Sequence, residues 1–177
     1  MSFRRRTGIV LVMGAVYAAM CFVSQQVGLC EVHGATTTDT LGTARLPATV
    51  KARIYRELSN EFNPSGGVAR PVVEAFDLKM IELGPDGHYG IRVWGSNRVT
   101  ATVCGATGNC PIWVFDRQTG DLLLSADGWD FHVEVTIHHG RYDLLTRANM
   151  SAGTGVRDLY RFDGRTYQHI AQTDETY

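Results

Sequence analysis

The sequence predicts a mainly β domain of the α+β class. One N-terminal amphipathic helix precedes an antiparallel sheet, sandwich or barrel of about eight short strands. Three observations lead to this prediction. One stretch carries apolar residues at every fourth position, and most of the remaining chain alternates apolar with polar residues. Turn motifs rich in Gly, Pro, Asp and Asn separate the alternating stretches, and 19 Gly among 177 residues favour a fold with many tight turns over a helical bundle.

The helix is predicted by its spacing and by its flanking residues. Apolar side chains recur at every fourth position: Val50, Ile54, Leu58 and Phe62. Pro47 suits the first turn of a helix, and the run NPSGG at 63–67 ends it. We therefore expect one helix at about 48–62. Residues 36–46 are small and polar without periodicity, which predicts a flexible tail.

Alternating residues predict strands along the rest of the chain. They lie at 76–80, 89–93, 99–103, 112–115, 122–125, 129–138, 142–146, 158–162 and 167–171. The clearest is Trp129–His138, in which every odd position is apolar and every even position is polar. This alternation predicts one face in the core and one in water, and it assigns Trp129 to the core. Residues 47–177 are thus predicted to form a single mainly β domain.

Two of the predicted hairpins look alike. The segment Trp113–Gly120 reads WVFDRQTG, and Tyr160–Gly164 reads YRFDG. The likeness indicates that one type of hairpin is used twice. Two copies are too few for a β-propeller, so a single sheet, sandwich or barrel remains the prediction.

The first 35 residues are typical of an export signal. Arg4, Arg5 and Arg6 form a positively charged segment, and Gly8–Val23 is an almost unbroken apolar run. A helix of that run is about 24 Å long, shorter than the roughly 30 Å hydrocarbon core of a membrane. We therefore predict a signal peptide at 1–35 and a periplasmic or secreted protein. An uncleaved membrane anchor is the alternative.

The cysteines agree with export. Cys21 and Cys30 belong to the predicted signal, which leaves Cys104 and Cys110 in the folded domain. In an oxidising compartment such a pair predicts a disulfide. A redox pair would have two intervening residues instead of five, and a zinc site would need two more ligands nearby. The closed loop is small, so the bond contributes only about 2–2.5 kcal/mol and fixes a local turn.

Charge and motifs exclude several functions. The formal net charge is −1, so no basic field attracts nucleic acid, and membrane contact is expected only through the N-terminal segment. The sequence contains no nucleophile elbow, no zinc-protease helix motif and no phosphate-binding glycine loop. Neither catalytic nor cofactor-binding nor metal-binding residues are therefore predicted, and no cofactor is expected.

Two sets of residues remain as candidates for chemistry or binding. His132, Glu134 and His138 share the polar face of the predicted strand 129–138, where alternate side chains are about 7 Å apart. They could converge on a metal if another strand supplied ligands; otherwise they form a solvated face. Trp94 and Trp113, with Trp129 and the tyrosines, could line a carbohydrate or peptide groove, although such aromatic residues more often belong to the core.

Part of the sequence resembles known proteins. The block Cys104–Trp113 (CGATGNCPIW), with Gly140–Thr146 and Leu159–Gly164, resembles a group of small exported bacterial proteins of unknown function. The resemblance covers about residues 72–170. It implies export and implies no activity.

Two shorter resemblances concern loops. The run GRYDLL at 140–145 is similar to the end of calcium-binding FG-GAP repeats, but His138 and His139 stand where those repeats carry Asp or Asn. The run SAGTG at 151–155 is similar to the small-residue loop of periplasmic lysozyme inhibitors. That resemblance implies an interaction loop that consists of Gly153, Thr154 and Gly155.

Together these observations predict an exported, non-catalytic β domain that binds a protein or an envelope ligand. Two alternatives stay open. One is an inhibitor of a secreted hydrolase such as lysozyme, acting through the loop at 153–155. The other is a hydrolase or metal-dependent enzyme that uses the His132, Glu134 and His138 face.

The export signal can be tested with a reporter fused after residue 40. We expect the reporter to reach the periplasm or the exterior, because the arginines stay on the cytoplasmic side while the apolar run enters the membrane. Replacing Arg4, Arg5 and Arg6 with Glu should reduce export. A reporter that stays in the cytosol would contradict the prediction.

Overall fold

The computed structural model describes residues 39–62, 70–97 and 103–177, which form two helices and two antiparallel sheets. The helices are α1 (Ala48–Phe62) and α2 (Arg70–Glu74). The strands are β1 (Asp39–Thr40), β2 (Asp77–Gly84), β3 (His88–Trp94), β4 (Cys110–Asp116), β5 (Leu122–Gly128), β6 (Asp130–His138), β7 (Arg141–Ser151), β8 (Thr154–Phe162) and β9 (Tyr167–Thr176). Strands β1 to β5 form one sheet in sequence order, and β6 to β9 form the other. The prediction of a mainly β fold is confirmed.

Helix α1 has the predicted bounds, and the first three residues of its apolar stripe are buried. Val50, Ile54 and Leu58 belong to a core that also contains residues of α2, β2, β3 and β4. Within this core the rings of Phe76 and Trp113 stack with their centroids 5.6 Å apart. The fourfold spacing in the sequence therefore marks the face that α1 presents to the five-stranded sheet.

Strand β4 is buried on both faces. Trp113 and Phe115 point into the core beneath the helices, whereas Ile112 and Val114 point into a second core shared with the four-stranded sheet. All four side chains are fully buried. The five-stranded sheet is thus a middle layer between the helices and the four-stranded sheet. A strand covered on both sides needs a continuous apolar run, and β4 has one.

The connections gather at two ends of the sandwich. At the end that we call the turn end, the hairpin turns 84–88, 116–121, 138–141 and 163–166 lie together; a side chain at Gly84 would collide with the carbonyl oxygen of Gly140. At the other end, which we call the disulfide end, the loop 104–110 meets the β7–β8 hairpin. Both ends bring together connections from both sheets.

The predicted flexible tail is wrong for residues 39–46. β1 pairs with β2, and Leu41 and Ala44 are buried in the helix-side core. The Lys51 ammonium also donates a hydrogen bond of 2.7 Å to the carbonyl oxygen of Gly42. Backbone pairing with β2 holds this segment in place. The sequence pattern reports only the order of side chains, so it does not reveal this pairing. The predicted signal at 1–35 and all but Val103 of the predicted strand 99–103 lie outside the described residues.

Only part of β6 shows the burial that its alternating sequence predicts. Phe131 is buried and Val133 partly buried, but Val135 is 86% exposed and Ile137 is half exposed. Trp129 is 39% exposed, so its assignment to the core is wrong. β6 is an edge strand, and its pairing with β7 is irregular between Val133 and Ile137. In the ranges that the structure describes, neither helix is long and apolar enough to cross a membrane.

This half-buried face gives a matched pair of variants on one strand. Phe131→Ala should lower the free energy of unfolding by about 3 kcal/mol, because it leaves a cavity between the sheets. Val135→Ala should change it by less than about 0.5 kcal/mol, because the side chain is already in water. Chemical denaturation of both variants measures the difference. Equal losses would contradict the description of β6.

Candidate binding groove at the disulfide end

The predicted disulfide is present between Cys104 and Cys110. It closes a short loop that is held internally by two backbone hydrogen bonds. The Gly105 amide donates to the Asn109 carbonyl at 2.8 Å, and the Gly108 amide donates to the Gly105 carbonyl at 3.0 Å. Gly108 has a φ of +81°, a conformation that glycine adopts without strain. The loop is therefore held by its own hydrogen bonds and continues directly into β4.

A single asparagine docks this loop onto the other sheet. The Asn109 side-chain amide donates to the Asn149 carbonyl at 2.8 Å, and its oxygen accepts from the Asn149 amide at 2.8 Å. The Asn149 side chain donates in turn to the Thr107 carbonyl at 3.0 Å. The Asn109 side chain thus makes the pair of hydrogen bonds to the Asn149 backbone that a neighbouring strand would make. The sequence suggested only a turn former here, because its partner is 40 residues away.

A groove of about 400 Å³ lies between the loop and the β7–β8 hairpin. Its walls are Ala106, Thr107, Asn149, Ser151, Ala152, Gly153 and Tyr177. None of these side chains is charged, and all except that of Tyr177 are small. The groove therefore offers hydroxyl, amide and backbone groups around one aromatic ring.

Two exposed aromatic rings lie beside the groove. Tyr177 is 59% exposed, and its ring meets that of Trp129 edge to face, with the centroids 6.2 Å apart. The Tyr177 amide donates to the Gly153 carbonyl at 3.0 Å, and the Trp129 amide donates to the Arg147 carbonyl at 2.8 Å. A side chain at Gly155 would collide with the Tyr177 hydroxyl, so the glycine makes room for the ring. Hydrogen bonds fix the backbone of both residues, and the two rings contact each other although much of their surface faces water.

The predicted interaction loop is the tight turn of the β7–β8 hairpin. Ser151 and Thr154 are paired in the ladder, and their hydroxyls are 2.5 Å apart. Gly153 has a φ of +80° and lines the groove, whereas Gly155 is buried in β8. The segment is therefore one wall of the groove and has only two residues at its tip. An inserting loop of the inhibitor type stays a prediction.

The predicted polar face of β6 is divided into separate pairs. His132 Nε2 lies 2.7 Å from Asp130 Oδ2 at the start of the strand. At its end, His138 Nδ1 lies 2.9 Å from Asp143 Oδ1. Glu134 is half-buried between them, where the pairing of β6 with β7 is irregular. The structure does not bring the three residues to one point.

The pair of His138 and Asp143 is the more buried of the two. The Asp143 side chain is 2% exposed, and Arg161 Nη2 lies 3.6 Å from its second oxygen. The Asp143 carboxylate therefore lies between the His138 imidazole, which it orients, and the Arg161 guanidinium. Within the described residues, no three His, Cys, Asp or Glu side chains are close enough to hold a metal ion.

No protein-family model, characterised protein or solved structure matches this chain. The chemistry of the groove is therefore what bears on function.

The Asn109 contact can be tested by hydrogen exchange. Asn109→Ala removes both hydrogen bonds to the Asn149 backbone and should lower the free energy of unfolding by about 1–3 kcal/mol. The Asn149 amide should exchange faster, because it loses its acceptor. Asn60→Ala on the exposed face of α1 is the control and should change stability by less than about 0.5 kcal/mol. An unchanged exchange rate at Asn149 would mean that the loop does not depend on Asn109.

Proposed function

We propose that this protein is an exported, non-catalytic binding module of the cell envelope or exterior, and that the disulfide-end groove holds its ligand. The observation that carries the proposal is the exposed pair of Tyr177 and Trp129 beside a groove with uncharged walls. Exposed aromatic rings held in place by backbone contacts are typical of binding surfaces, because burying them on association releases water from large apolar areas.

Two observations support the exported location. The arginines and the apolar run at the N-terminus are typical of a secretory signal. The Cys104–Cys110 disulfide is a bond that persists in oxidising compartments. The disulfide loop also forms one wall of the groove, so the same bond that fits the location fixes part of the proposed binding surface.

The chemistry of the groove favours a neutral saccharide. The Thr107 and Ser151 hydroxyls and the Asn149 amide suit hydroxyl groups of a ligand, and the Tyr177 ring offers an apolar face to the C–H side of a sugar ring. A charged ligand would lose its hydration without meeting an oppositely charged side chain among the residues that line the groove. A neutral oligosaccharide avoids that cost.

The proposal is tested by titrating the protein with neutral tetrasaccharides, chitotetraose and cellotetraose, while recording tryptophan fluorescence. Trp113 is fully buried and Trp94 is half-buried beneath the Arg92 guanidinium, so we expect Trp129 next to the groove to report binding. Tyr177→Ala should weaken binding about tenfold, because a stacked ring contributes roughly 0.5–1.5 kcal/mol beyond its buried area. Tyr177→Phe should retain most of the affinity.

Tyr89→Ala is the matched control, because Tyr89 is also exposed but lies on β3 near the turn end. It should leave saccharide binding unchanged. Equal losses from Tyr89→Ala and Tyr177→Ala would overturn the assignment of the groove. Binding of an uncharged peptide but of neither saccharide would overturn the ligand class and keep the site.

A further inference from the structure

The two look-alike hairpins of the sequence meet at the turn end. In the first, Asp116 Oδ1 accepts hydrogen bonds from the amides of Gln118 and Thr119, at 2.8 and 2.9 Å. In the second, Asp163 Oδ1 accepts from the amides of Arg165 and Thr166, also at 2.8 and 2.9 Å. These backbone N–H groups hold the pKa of Asp163 below its ordinary value. The Asp contacts recur, but the two hairpins differ in length: residues 116–121 separate the paired Phe115 and Leu122, whereas only residues 163–166 separate the paired Phe162 and Tyr167. The prediction that one hairpin type is used twice is therefore wrong beyond these shared contacts.

The two turns border a cleft of about 490 Å³. Leu122, Leu123 and Phe162 supply apolar walls, and Thr119 and Thr166 supply hydroxyls. The Thr166 oxygen accepts a hydrogen bond of 2.8 Å from Gln168, so its own proton is left to donate. The cleft is far from the groove, because it lies at the opposite end of β4 and β5.

Arg141 lines the cleft, and its guanidinium is incompletely paired within the described residues. Its side chain is 13% exposed, and its Nη1 is buried without a hydrogen-bond partner among the described residues. Its Nη2 lies 3.8 Å from Asp116 Oδ2, which is longer than a hydrogen bond. The guanidinium carbon is 5.4 Å from the centroid of the Phe162 ring, so the aromatic face supports it.

A buried guanidinium without acceptors is costly. Removing a charge from water is favourable only when hydrogen bonds replace those lost, and a guanidinium has five N–H donors to satisfy. Two carboxylates line the same cleft. Asp116 Oδ1 binds its own turn and only Oδ2 faces Arg141, beyond hydrogen-bond distance, whereas Asp121 accepts from the Thr119 hydroxyl at 2.7 Å and pairs with Arg53. Arg141 is therefore positioned for an acceptor that comes from outside the chain.

We propose that this cleft is a second binding site, which takes a ligand through a carboxylate group held by Arg141. A carboxylate presents two oxygens to a guanidinium and forms paired, charge-assisted hydrogen bonds. The cleft also contains Arg165, Asp116 and Asp121, so its formal charges with Arg141 cancel and it suits a singly charged group better than a doubly charged phosphate. Small apolar groups next to the carboxylate would meet Leu122, Leu123 and Phe162.

The test is an NMR titration with N-acetyl-alanyl-alanine and with its C-terminal amide, following the backbone amides of residues 164–166 and the Arg141 Nε–H signal. The acid should shift these signals. The amide should bind at least about 30-fold more weakly, because it lacks the charge. Propionate distinguishes the two possible sources of the carboxylate, which are a small free acid and the C-terminus of a peptide chain. Affinity equal to that of the peptide means that a free acid suffices, and weaker affinity means that a chain terminus is preferred.

Three variants complete the test. Arg141→Leu should abolish binding while the melting temperature stays the same or rises, because an unsatisfied buried charge is replaced by an apolar group. Arg147→Gln, which removes a surface arginine paired with Asp130 and Glu175, should leave binding unchanged. Asp116→Asn keeps the turn chemistry, removes a competing charge and should tighten binding several-fold.

The proposal is overturned if acid and amide bind equally, or if inorganic phosphate binds more tightly than the acid. It is also overturned if Arg141→Leu lowers the melting temperature and leaves binding intact, since Arg141 would then serve the fold through Asp116. Should Arg141→Leu not fold, the acid and amide on the wild-type protein, with Asp116→Asn, decide the question.

Discussion

The fold depends on one constraint, the burial of β4 on both of its faces. Its inner residues alternate between two cores, with Trp113 and Phe115 beneath the helices and Ile112 and Val114 against the four-stranded sheet. A slip of one residue would exchange the two pairs and leave neither core filled, so the register of β4 is strongly specified. The strands on either side of β4 take their register from it.

The same strand determines where the two candidate sites lie. β4 has seven residues and is about 23 Å long, with Cys110 at one end and Asp116 at the other. Cys110 closes the loop that forms a wall of the groove, and Asp116 begins the turn that borders the cleft. The disulfide contributes little to global stability, but it reduces the conformational freedom of the loop before Asn109 binds Asn149. A wall ordered in advance lowers the entropic cost of binding a ligand.

The sequence was informative wherever the signal is local. The bounds of α1 follow from the fourfold spacing of its apolar residues and from the NPSGG run that ends it. The turns that begin at Asp116 and Asp163 follow from the tendency of an Asp side chain to accept hydrogen bonds from the backbone amides that come next in the chain. Alternation in β6 identified which residues share a face. Alternation does not reveal how far the facing sheet extends. It therefore assigns Val135 and Trp129 to the core, although the core covers neither of them.

The features that sequence reasoning missed depend on residues that are far apart in the chain. The partner of Asn109 lies 40 residues away, and the isolation of the Arg141 guanidinium exists only once two distant hairpins meet. The middle of the molecule is filled by apolar side chains in register, and there local pattern and global structure agree. The exposed rings of Trp129 and Tyr177 and the unsatisfied donors of Arg141 stand at opposite ends of that middle. An unpaired buried donor costs stability, and the two proposed binding sites would account for why both features are present.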